Sequence, residues 1–310
     1  MEQMTFREVN DKLIVLYGEK KFDEALQMIE GHLDAFPEQK PRMVFWRMCL
    51  LSLSDRPDDV LVVFREGLDN GFWWQEELFA DPDLNAVRDR PEFQRLVEIS
   101  KEKHAEAQKH IGRDYAILTP EPPASGLYPL LMTLHGRNGN KDVDLPQWEQ
   151  ARQRGWLVVS CQSTQPVFQG AYHWDSPAQG LSDLLFYYER ASQQFQIDPQ
   201  RVVISGFSQG SGMAIYAALT GTLPARGFIG IGTWWADPNE LAIENRNVRG
   251  YFITGEKDHT LERAREIQKV LRANKIEFAE EVHPDLGHEF SADFGASFDK
   301  AIAFIFKEQE

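Results

Sequence analysis

Apolar residues recur at helical spacing throughout the first third of the chain. From Phe6 to about His110 they return at the three- to four-residue period of one face of an α-helix. One such run is Phe22, Ala25, Leu26, Ile29 and Leu33. No convincing alternation of apolar and polar residues interrupts the pattern. This part of the chain is therefore predicted to be entirely helical.

Beyond residue 110, short apolar runs alternate with amphipathic stretches. The runs predicted to be strands cover residues 115–118, 130–134, 156–160, 201–205, 228–232, 251–254 and 278–282. Strands that alternate with helices are typical of βαβ units, which form a mostly parallel sheet with helices on both faces. The 310 residues are therefore predicted to contain a helical domain at 1–110 and an α/β domain at 111–310.

Two segments of the helical domain resemble each other. Residues 17–26, followed by Phe36-Pro37, resemble the turn and second helix of a tetratricopeptide repeat. A fainter copy at residues 58–61 follows residues 23–26 at close to the repeat length of that family, about 34 residues. The Trp and Tyr residues typical of the family are mostly missing. The pattern predicts two degenerate repeats.

Four aromatic residues of the helical domain have two interpretations. They are Phe72, Trp73, Trp74 and Phe79. Because two repeats bury little core on their own, these side chains could dock onto the α/β domain, a second copy of the chain or a protein partner. Alternatively, they fill the core of the helical domain itself.

Composition and charge exclude several classes of function. The chain has 33 Lys and Arg against 48 Asp and Glu, a net charge of −15, which opposes binding to nucleic acid or anionic lipid. Cys49 and Cys161 lie far apart in apolar runs, so buried, reduced thiols are expected rather than a disulfide or a metal site. With 42% hydrophobic residues, the chain can bury a sizeable core.

The residue pattern predicts neither a secretion signal nor a membrane span. Residues 1–10 lack both the basic and the apolar region of a secretion signal. No apolar run approaches the length of a membrane span. A cytoplasmic location is therefore the expectation.

The sequence Gly206-Phe207-Ser208-Gln209-Gly210 lies between a predicted strand and the apolar helix predicted at residues 213–219. A strand, a tight turn and a helix are the context of a nucleophile elbow, which exposes a serine Oγ in a cleft. Glycines flank such a turn because any larger side chain would collide with neighbouring backbone. Ser208 is therefore the candidate nucleophile.

A serine hydroxyl needs a base, and the base needs an orienting acid. Asp258 directly follows the predicted strand 251–254, and His288 lies between the last predicted strand and the helix predicted at 297–306. The order Ser208, Asp258, His288 is that of the hydrolases with this elbow. The alternatives are His259 and His283 for the base and Asp237 for the acid.

Backbone N–H groups are expected to stabilise the oxyanion that forms during acyl transfer. Gln209, directly after Ser208, is the first expected donor. The turn His135-Gly136-Arg137-Asn138-Gly139 resembles an HGxG oxyanion loop and offers the amide of Arg137 as the second. His135 is expected to be a structural hydrogen-bonding residue.

Large aromatic residues near the predicted site also have two interpretations. Trp148, Trp174, Trp234 and Trp235 lie in loops or at strand ends on that side. They could line an acyl pocket, with Trp174 and Gly136 as the substrate-binding candidates, or they could close the core.

These motifs resemble the phospholipase/carboxylesterase and dienelactone-hydrolase branch of the α/β-hydrolases, with acyl-protein thioesterases among the relatives. The residues that carry the resemblance are Gly206-Phe207-Ser208-Gln209-Gly210, His173-Trp174-Asp175 and residues 197–202. It covers about residues 112–308. The resemblance implies an α/β-hydrolase fold and a serine esterase or thioesterase that acts on a small-molecule substrate with neither cofactor nor metal.

The chain departs from that branch in two places. Ser211 replaces the usual glycine after the elbow, and His259-Thr260 replaces an apolar pair after the acid. Ser208 stands where dienelactone hydrolases use cysteine, which argues against that activity. These departures leave the substrate open. Two alternative functions stay open. The chain could be a peptidase, or it could be a catalytically silent binding protein that uses its helical domain for interactions.

Overall fold

The computed structural model describes residues 4–307, which form two compact units. The first unit ends at Ile111 and also contains Pro166–Gly170. The second comprises Gly112–Gln165 and the chain from Ala171 onward. Residues 1–3, which begin the segment considered for a secretion signal, lie outside the described residues.

The first unit is built from α-helices, as predicted. They are α1 (Phe6–Gly18), α2 (Phe22–His32), α3 (Lys40–Leu53), α4 (Pro57–Asp69) and α5 (Pro91–Gln108). Each helix packs against the next one along the chain. Thr5 and Glu8 form a reciprocal capping box at the start of α1, and Pro57 and Pro91 open α4 and α5, where a missing N–H costs nothing. The repeat resemblance stays a prediction.

Aromatic rings fill the core of this unit. The ring of Phe64 lies 5.8 Å from Trp74, 5.0 Å from Phe79 and 5.4 Å from Phe93. The Trp74 indole N–H donates to the carbonyl of Pro41 at 2.9 Å, so the one polar atom of this buried side chain is paired. These contacts favour the core interpretation for Trp74 and Phe79.

The segment Pro166–Gly170 takes its backbone partners from the first unit. Trp74 forms an isolated antiparallel bridge with Phe168, and the N–H of Gln75 donates to the carbonyl of Val167 at 2.8 Å. Val167 is fully buried, so water cannot replace this bond. Nothing in the residue pattern of this segment signals its membership in the helical unit.

The second unit contains a seven-stranded sheet. Its strands are β1 (Tyr115–Leu118), β2 (Tyr128–Leu134), β3 (Leu157–Cys161), β6 (Ile197–Phe207), β7 (Gly227–Ile231), β8 (Arg249–Gly255) and β9 (Glu277–His283), in the spatial order β1-β3-β2-β6-β7-β8-β9. All seven predicted strands are present. Only β1 among these seven runs antiparallel to its neighbour, so the prediction of a mostly parallel sheet is also confirmed. Two short strands, β4 (Gln165–Phe168) and β5 (Ala171–His173), were not predicted.

Helices cover both faces of this sheet. They are α6 (Leu145–Gln153), α7 (Pro177–Gln194), α8 (Gln209–Thr220), α9 (Leu261–Ala273) and α10 (Phe294–Ile305). Successive side chains of a strand point to opposite faces, and along β2 Leu130 and Met132 join one buried cluster whereas Leu131 joins the other. The two-sided core explains why these strands read as continuous apolar runs.

Both cysteines are buried, as expected. Within residues 4–307, no helix combines the length and apolar character needed to cross a membrane.

Proline at position 75 removes the bond between Gln75 and Val167, because its Cδ replaces the donated hydrogen and pushes against the carbonyl oxygen of Val167. Gln75 has a φ of −59°, which suits proline, so Gln75→Pro deletes the N–H and leaves the carbonyl of Val167 unpaired. We expect the free energy of unfolding to fall by about 1–3 kcal/mol. Gln75→Ala keeps the N–H and is the control. Equal thermal unfolding midpoints for the two variants would contradict this role of the bond.

Candidate active site

Ser208 occupies a strained turn between β6 and α8. Its φ of 54° and ψ of −120° are unusual for a residue with a side chain and carry a conformational cost. The surroundings hold this conformation: the N–H of Ser208 donates to the carbonyl of Ile231 at 2.8 Å, and its carbonyl accepts from the N–H of Trp234 at 3.2 Å. Strain that the structure maintains in this way is typical of functional sites.

The glycines of the elbow are required by backbone contact. A Cβ on Gly206 would overlap the backbone of Gly210, and a Cβ on Gly210 would overlap the carbonyl oxygens of Leu134 and His135. The start of α8 therefore lies directly against the end of β2, where the expected oxyanion loop begins. The steric reason inferred from the sequence holds at both positions.

Asp258 and His288 form a close pair in the loops that follow β8 and β9. The Nδ1 of His288 lies 2.9 Å and 3.0 Å from the two carboxylate oxygens of Asp258. Thr260 donates to the same carboxylate through its N–H and its hydroxyl, both at 2.8 Å. Burial alone would raise the pKa of Asp258, but the hydrogen bonds from His288 and Thr260 outweigh it and hold that pKa below its usual value.

Gly232, just after β7, connects this pair to the elbow. A Cβ on Gly232 would stand 3.0 Å from Asp258 Oδ2 and from His288 Nδ1. The preceding residue, Ile231, accepts the hydrogen bond from the N–H of Ser208, and the ring of Phe207 lies 4.7 Å from the ring of His288. All three candidate catalytic residues thus gather at the carboxyl ends of the parallel strands.

The alternative acid and bases have other surroundings. Asp237 accepts the N–H of Asn239 and caps a short 3₁₀ turn. His283 lies 3.2 Å from the hydroxyl of Ser297. The side chain of His259 is 74% exposed, although its ring lies 4.5 Å from that of His288. His288 is the one of the three histidines that is hydrogen-bonded to Asp258.

The expected oxyanion loop lies beside Ser208. A Cβ on Gly136 would stand 3.4 Å from the Cβ of Ser208. Two hydrogen bonds join the loop to the segment around β5, from the N–H of Asn138 to the carbonyl of Tyr172 and from the N–H of Tyr172 to the carbonyl of Gly139, both at 2.9 Å. These two backbone hydrogen bonds hold the loop against the segment around β5.

His135, at the start of this loop, is held by hydrogen bonds to two other segments. Its Nε2 accepts the N–H of Ser163 at 3.2 Å, and its carbonyl accepts the indole N–H of Trp174 at 3.0 Å. Burial lowers the pKa of His135 to about 4, so the ring is neutral at neutral pH. The sequence-based expectation of a structural role for His135 agrees with these contacts.

Asp175 connects the two residues whose amides are the expected oxyanion donors. Its Oδ1 accepts from Arg137 Nη1 at 2.7 Å and from Gln209 Nε2 at 2.5 Å. Gln209 Oε1 in turn accepts the N–H of Trp174 at 3.1 Å, and His173 Nδ1 lies 2.7 Å from Asp175 Oδ2. Burial acts to raise the pKa of Asp175, but His173 and Arg137 hold it well below its usual value. In the sequence, Asp175 is singled out only as part of His173-Trp174-Asp175, the segment that resembles the esterase family.

The tryptophans considered for an acyl pocket are mostly buried. Trp148 and Trp174 are each 1% exposed, and Trp235 is 5% exposed. Trp148 packs edge-on against Phe290 and Phe294. This burial favours the core interpretation, and it leaves the side chain of Trp174 almost no surface for a substrate to contact. Its hydrogen bonds to His135 and Gln209 are what join it to the site.

Two family models match this chain. Residues 179–307 match the model described as Phospholipase/Carboxylesterase. Residues 5–108 match the model described as A/B hydrolase-like, N-terminal domain. Among curated proteins, an acyl-protein thioesterase 1 from Gibberella zeae is 29% identical over 181 residues, which is 54% of this chain and 71% of that protein.

Solved structures share the fold. An uncharacterized protein from Bacillus cereus superposes with a TM-score of 0.55 at 24% identity, covering 99% of this chain and all of its own. A carboxylesterase from Bacillus cereus superposes with a TM-score of 0.51 at 15% identity, covering 66% of this chain and 99% of its own. Esterase PE8 superposes with a TM-score of 0.50 at 20% identity, covering 63% of this chain and 98% of its own. The second unit is therefore an α/β-hydrolase fold.

The close packing of Gly232 makes a sharp test of the site geometry. In Gly232→Ala, the new Cβ would stand 3.0 Å from both Asp258 and His288, so these side chains must shift by a few tenths of an ångström. Because a shift of about 1 Å in catalytic groups can cost on the order of 100-fold in rate, we expect this smaller shift to lower the turnover of a p-nitrophenyl ester by about 10-fold.

Gly155→Ala is the matched control. Gly155 also has a positive φ, of +84°, but a Cβ there meets nothing within 4 Å. It therefore carries the same kind of backbone cost without the collision. Equal losses of turnover in the two variants would contradict the proposed geometry.

Proposed function

We propose that this chain, a hydrolase of the phospholipase/carboxylesterase family, cleaves carboxylic esters or thioesters of small molecules through an acyl-enzyme formed on Ser208. The hydrogen bond between His288 and Asp258 is the observation that carries the proposal. It assigns the proton of the imidazole to Nδ1, which leaves Nε2 as a free base.

In the first half of the reaction, Ser208 Oγ attacks the carbonyl carbon of the substrate while His288 accepts the hydroxyl proton. The carboxylate of Asp258 stabilises the imidazolium that results. Its low pKa keeps it ionised through this step. When the tetrahedral intermediate collapses, the C–O or C–S bond breaks and His288 gives its proton to the leaving alcohol or thiol.

In the second half, water takes the place of the serine hydroxyl. His288 accepts a proton from the water as its oxygen attacks the acyl carbon, and Ser208 leaves with a proton from His288. The products are a carboxylic acid and the free enzyme. Every group in this cycle is a side chain or backbone amide of the protein, so the mechanism needs neither a metal nor a cofactor.

The amides of Gln209 and Arg137 are the proposed oxyanion donors. They belong to different loops, one after β6 and one after β2, and Asp175 bonds to both side chains. Donors that are already in place when charge develops stabilise the transition state more than donors that must reorient. We infer that Asp175 is a positioning residue for this pair.

Either an oxygen ester or a thioester suits the proposed chemistry. The name of the Gibberella zeae relative, a thioesterase, makes an acyl thioester a substrate to assay beside a short ester. An amide substrate of matched acyl group tests the peptidase alternative. The helical unit is a candidate surface for a second copy of the chain or a protein partner.

Ser208→Ala removes the proposed nucleophile and should lower ester turnover by about 10³-fold or more. A fluorophosphonate probe should label the native protein and not the variant. Ser211→Ala, one turn away in α8, is the control; its hydroxyl is fully buried against Thr233, and the variant should still be labelled. A loss of only a few-fold in Ser208→Ala would overturn the assignment, and an unlabelled native protein would favour the silent binding protein.

Asp175→Asn keeps the shape of the side chain but removes the charge that holds Arg137. We expect kcat to fall by about 10- to 100-fold with little change in KM, because the lost positioning matters when the oxyanion forms. Binding of a trifluoromethyl ketone should weaken in parallel with kcat/KM. Asp142→Asn, an exposed carboxylate of the same loop region, is the control. If KM rises while kcat stays unchanged, Asp175 contacts the substrate instead.

A further inference from the structure

A second histidine lies against the proposed catalytic pair. The rings of His259 and His288 are 4.5 Å apart at an angle of 60°. A ring nitrogen of His259, Nδ1, lies 3.8 Å from Asp258 Oδ1. The proposed reaction does not use this second imidazole.

The three side chains together offer a set of metal ligands. One ligand atom each from Asp258, His259 and His288 lies within 4.8 Å of the others. In a tetrahedral zinc site with bonds of about 2.0–2.1 Å, ligand atoms are roughly 3.3 Å apart. His288 Nδ1 and Asp258 Oδ1 lie 2.9 Å apart, slightly closer than this spacing, so a metal ion would have to separate them by a few tenths of an ångström. His259 would have to approach by up to about 1.5 Å, and its side chain is exposed.

The chemistry of the set favours zinc over the hard cations. Two imidazoles and one carboxylate suit Zn²⁺, whereas Mg²⁺ and Ca²⁺ prefer oxygen ligands. Thr260 orients the carboxylate through two hydrogen bonds. Such outer hydrogen bonds to a ligand stabilise metal binding. A water molecule would complete four-coordination on the exposed side.

We propose that Asp258, His259 and His288 form a zinc-binding site that overlaps the proposed catalytic pair, so that Zn²⁺ is a reversible inhibitor of this enzyme. The inhibitory half of the inference rests on the proposed function. The binding half rests only on the geometry of the three side chains.

Binding of zinc exchanges a proton for a metal ion at His288. The Nδ1 lone pair binds Zn²⁺, the Nδ1 proton passes to solvent, and Asp258 changes from hydrogen-bond acceptor to metal ligand. The hydrogen bond that orients the His288 ring toward Asp258 is thereby lost, and the metal holds the ring instead. His288 can no longer accept the proton of Ser208, and acyl transfer stops until the metal leaves.

Zinc titrations of the full chain test both halves. Isothermal titration calorimetry measures binding, and ester turnover measures inhibition, expressed relative to the zinc-free rate of each variant. We expect one zinc ion per native chain, inhibition over the same concentration range, and recovery of activity with EDTA. Magnesium at the same concentrations should neither bind nor inhibit.

His259→Asn removes one of the three ligands and should weaken both zinc binding and inhibition by at least about tenfold. Because His259 is exposed, the substitution should not disturb folding. His283→Asn is the control, since His283 bonds to Ser297 outside the cluster, and should match the native chain. Ser208→Ala should bind zinc like the native chain, which keeps the binding test valid even if Ser208 is not the nucleophile.

Several results would overturn the proposal. Zinc affinity of His259→Asn within twofold of the native value would show that His259 is not a ligand. An equal loss in His283→Asn would indicate binding by surface histidines. Zinc that binds with the expected dependence on His259 but leaves ester turnover unchanged would refute the overlap with catalysis. If the native chain lacks esterase activity but still binds zinc in a His259-dependent way, the proposed function is refuted and the zinc-binding site is not.

Discussion

The backbone at Ser208 is the constraint on which the candidate site depends. With a φ of 54°, the chain turns from β6 into α8 at a single residue. Only a glycine at position 210 allows the start of the helix to lie against the carbonyl groups that end β2. The same contact brings the loop after β2 beside the serine. One steric requirement therefore sets the distance between the proposed nucleophile and both expected oxyanion donors.

A network of hydrogen bonds holds the neighbouring loops in place. Asp175 pairs with Arg137 and Gln209, and Trp174 bonds to both Gln209 and the carbonyl of His135. Because nearly every polar group of the network has a partner, partial burial of its charges does not leave an uncompensated cost. These bonds fix the positions of the loops that carry the expected oxyanion donors, and donors already in place stabilise a developing charge best.

The surroundings of Asp258 and His288 suit both the proposed proton transfer and the proposed binding of zinc. The hydrogen bonds that keep the carboxylate ionised for the proposed proton transfer also prepare it as a metal ligand. The neighbouring imidazole of His259 supplies the third ligand atom. Catalytic histidines attract metals for the same reason that they accept protons, namely a free lone pair near neutral pH.

The sequence by itself determined the fold class and the order of the candidate residues. Continuous apolar runs predict strands buried on both faces, as β2, β3 and β7 are. The edge strands β1 and β9 are only partly buried. The elbow glycines revealed Ser208 because they form a short motif between a strand and a helix. Tertiary structure alone decided the rest. Asp175 gained its partners from residues on two other loops, Pro166–Gly170 joined the helical unit through backbone bonds to Gln75 and Trp74, and Trp174 became core. These outcomes depend on contacts between residues far apart in the chain, which neither periodicity nor a short motif encodes.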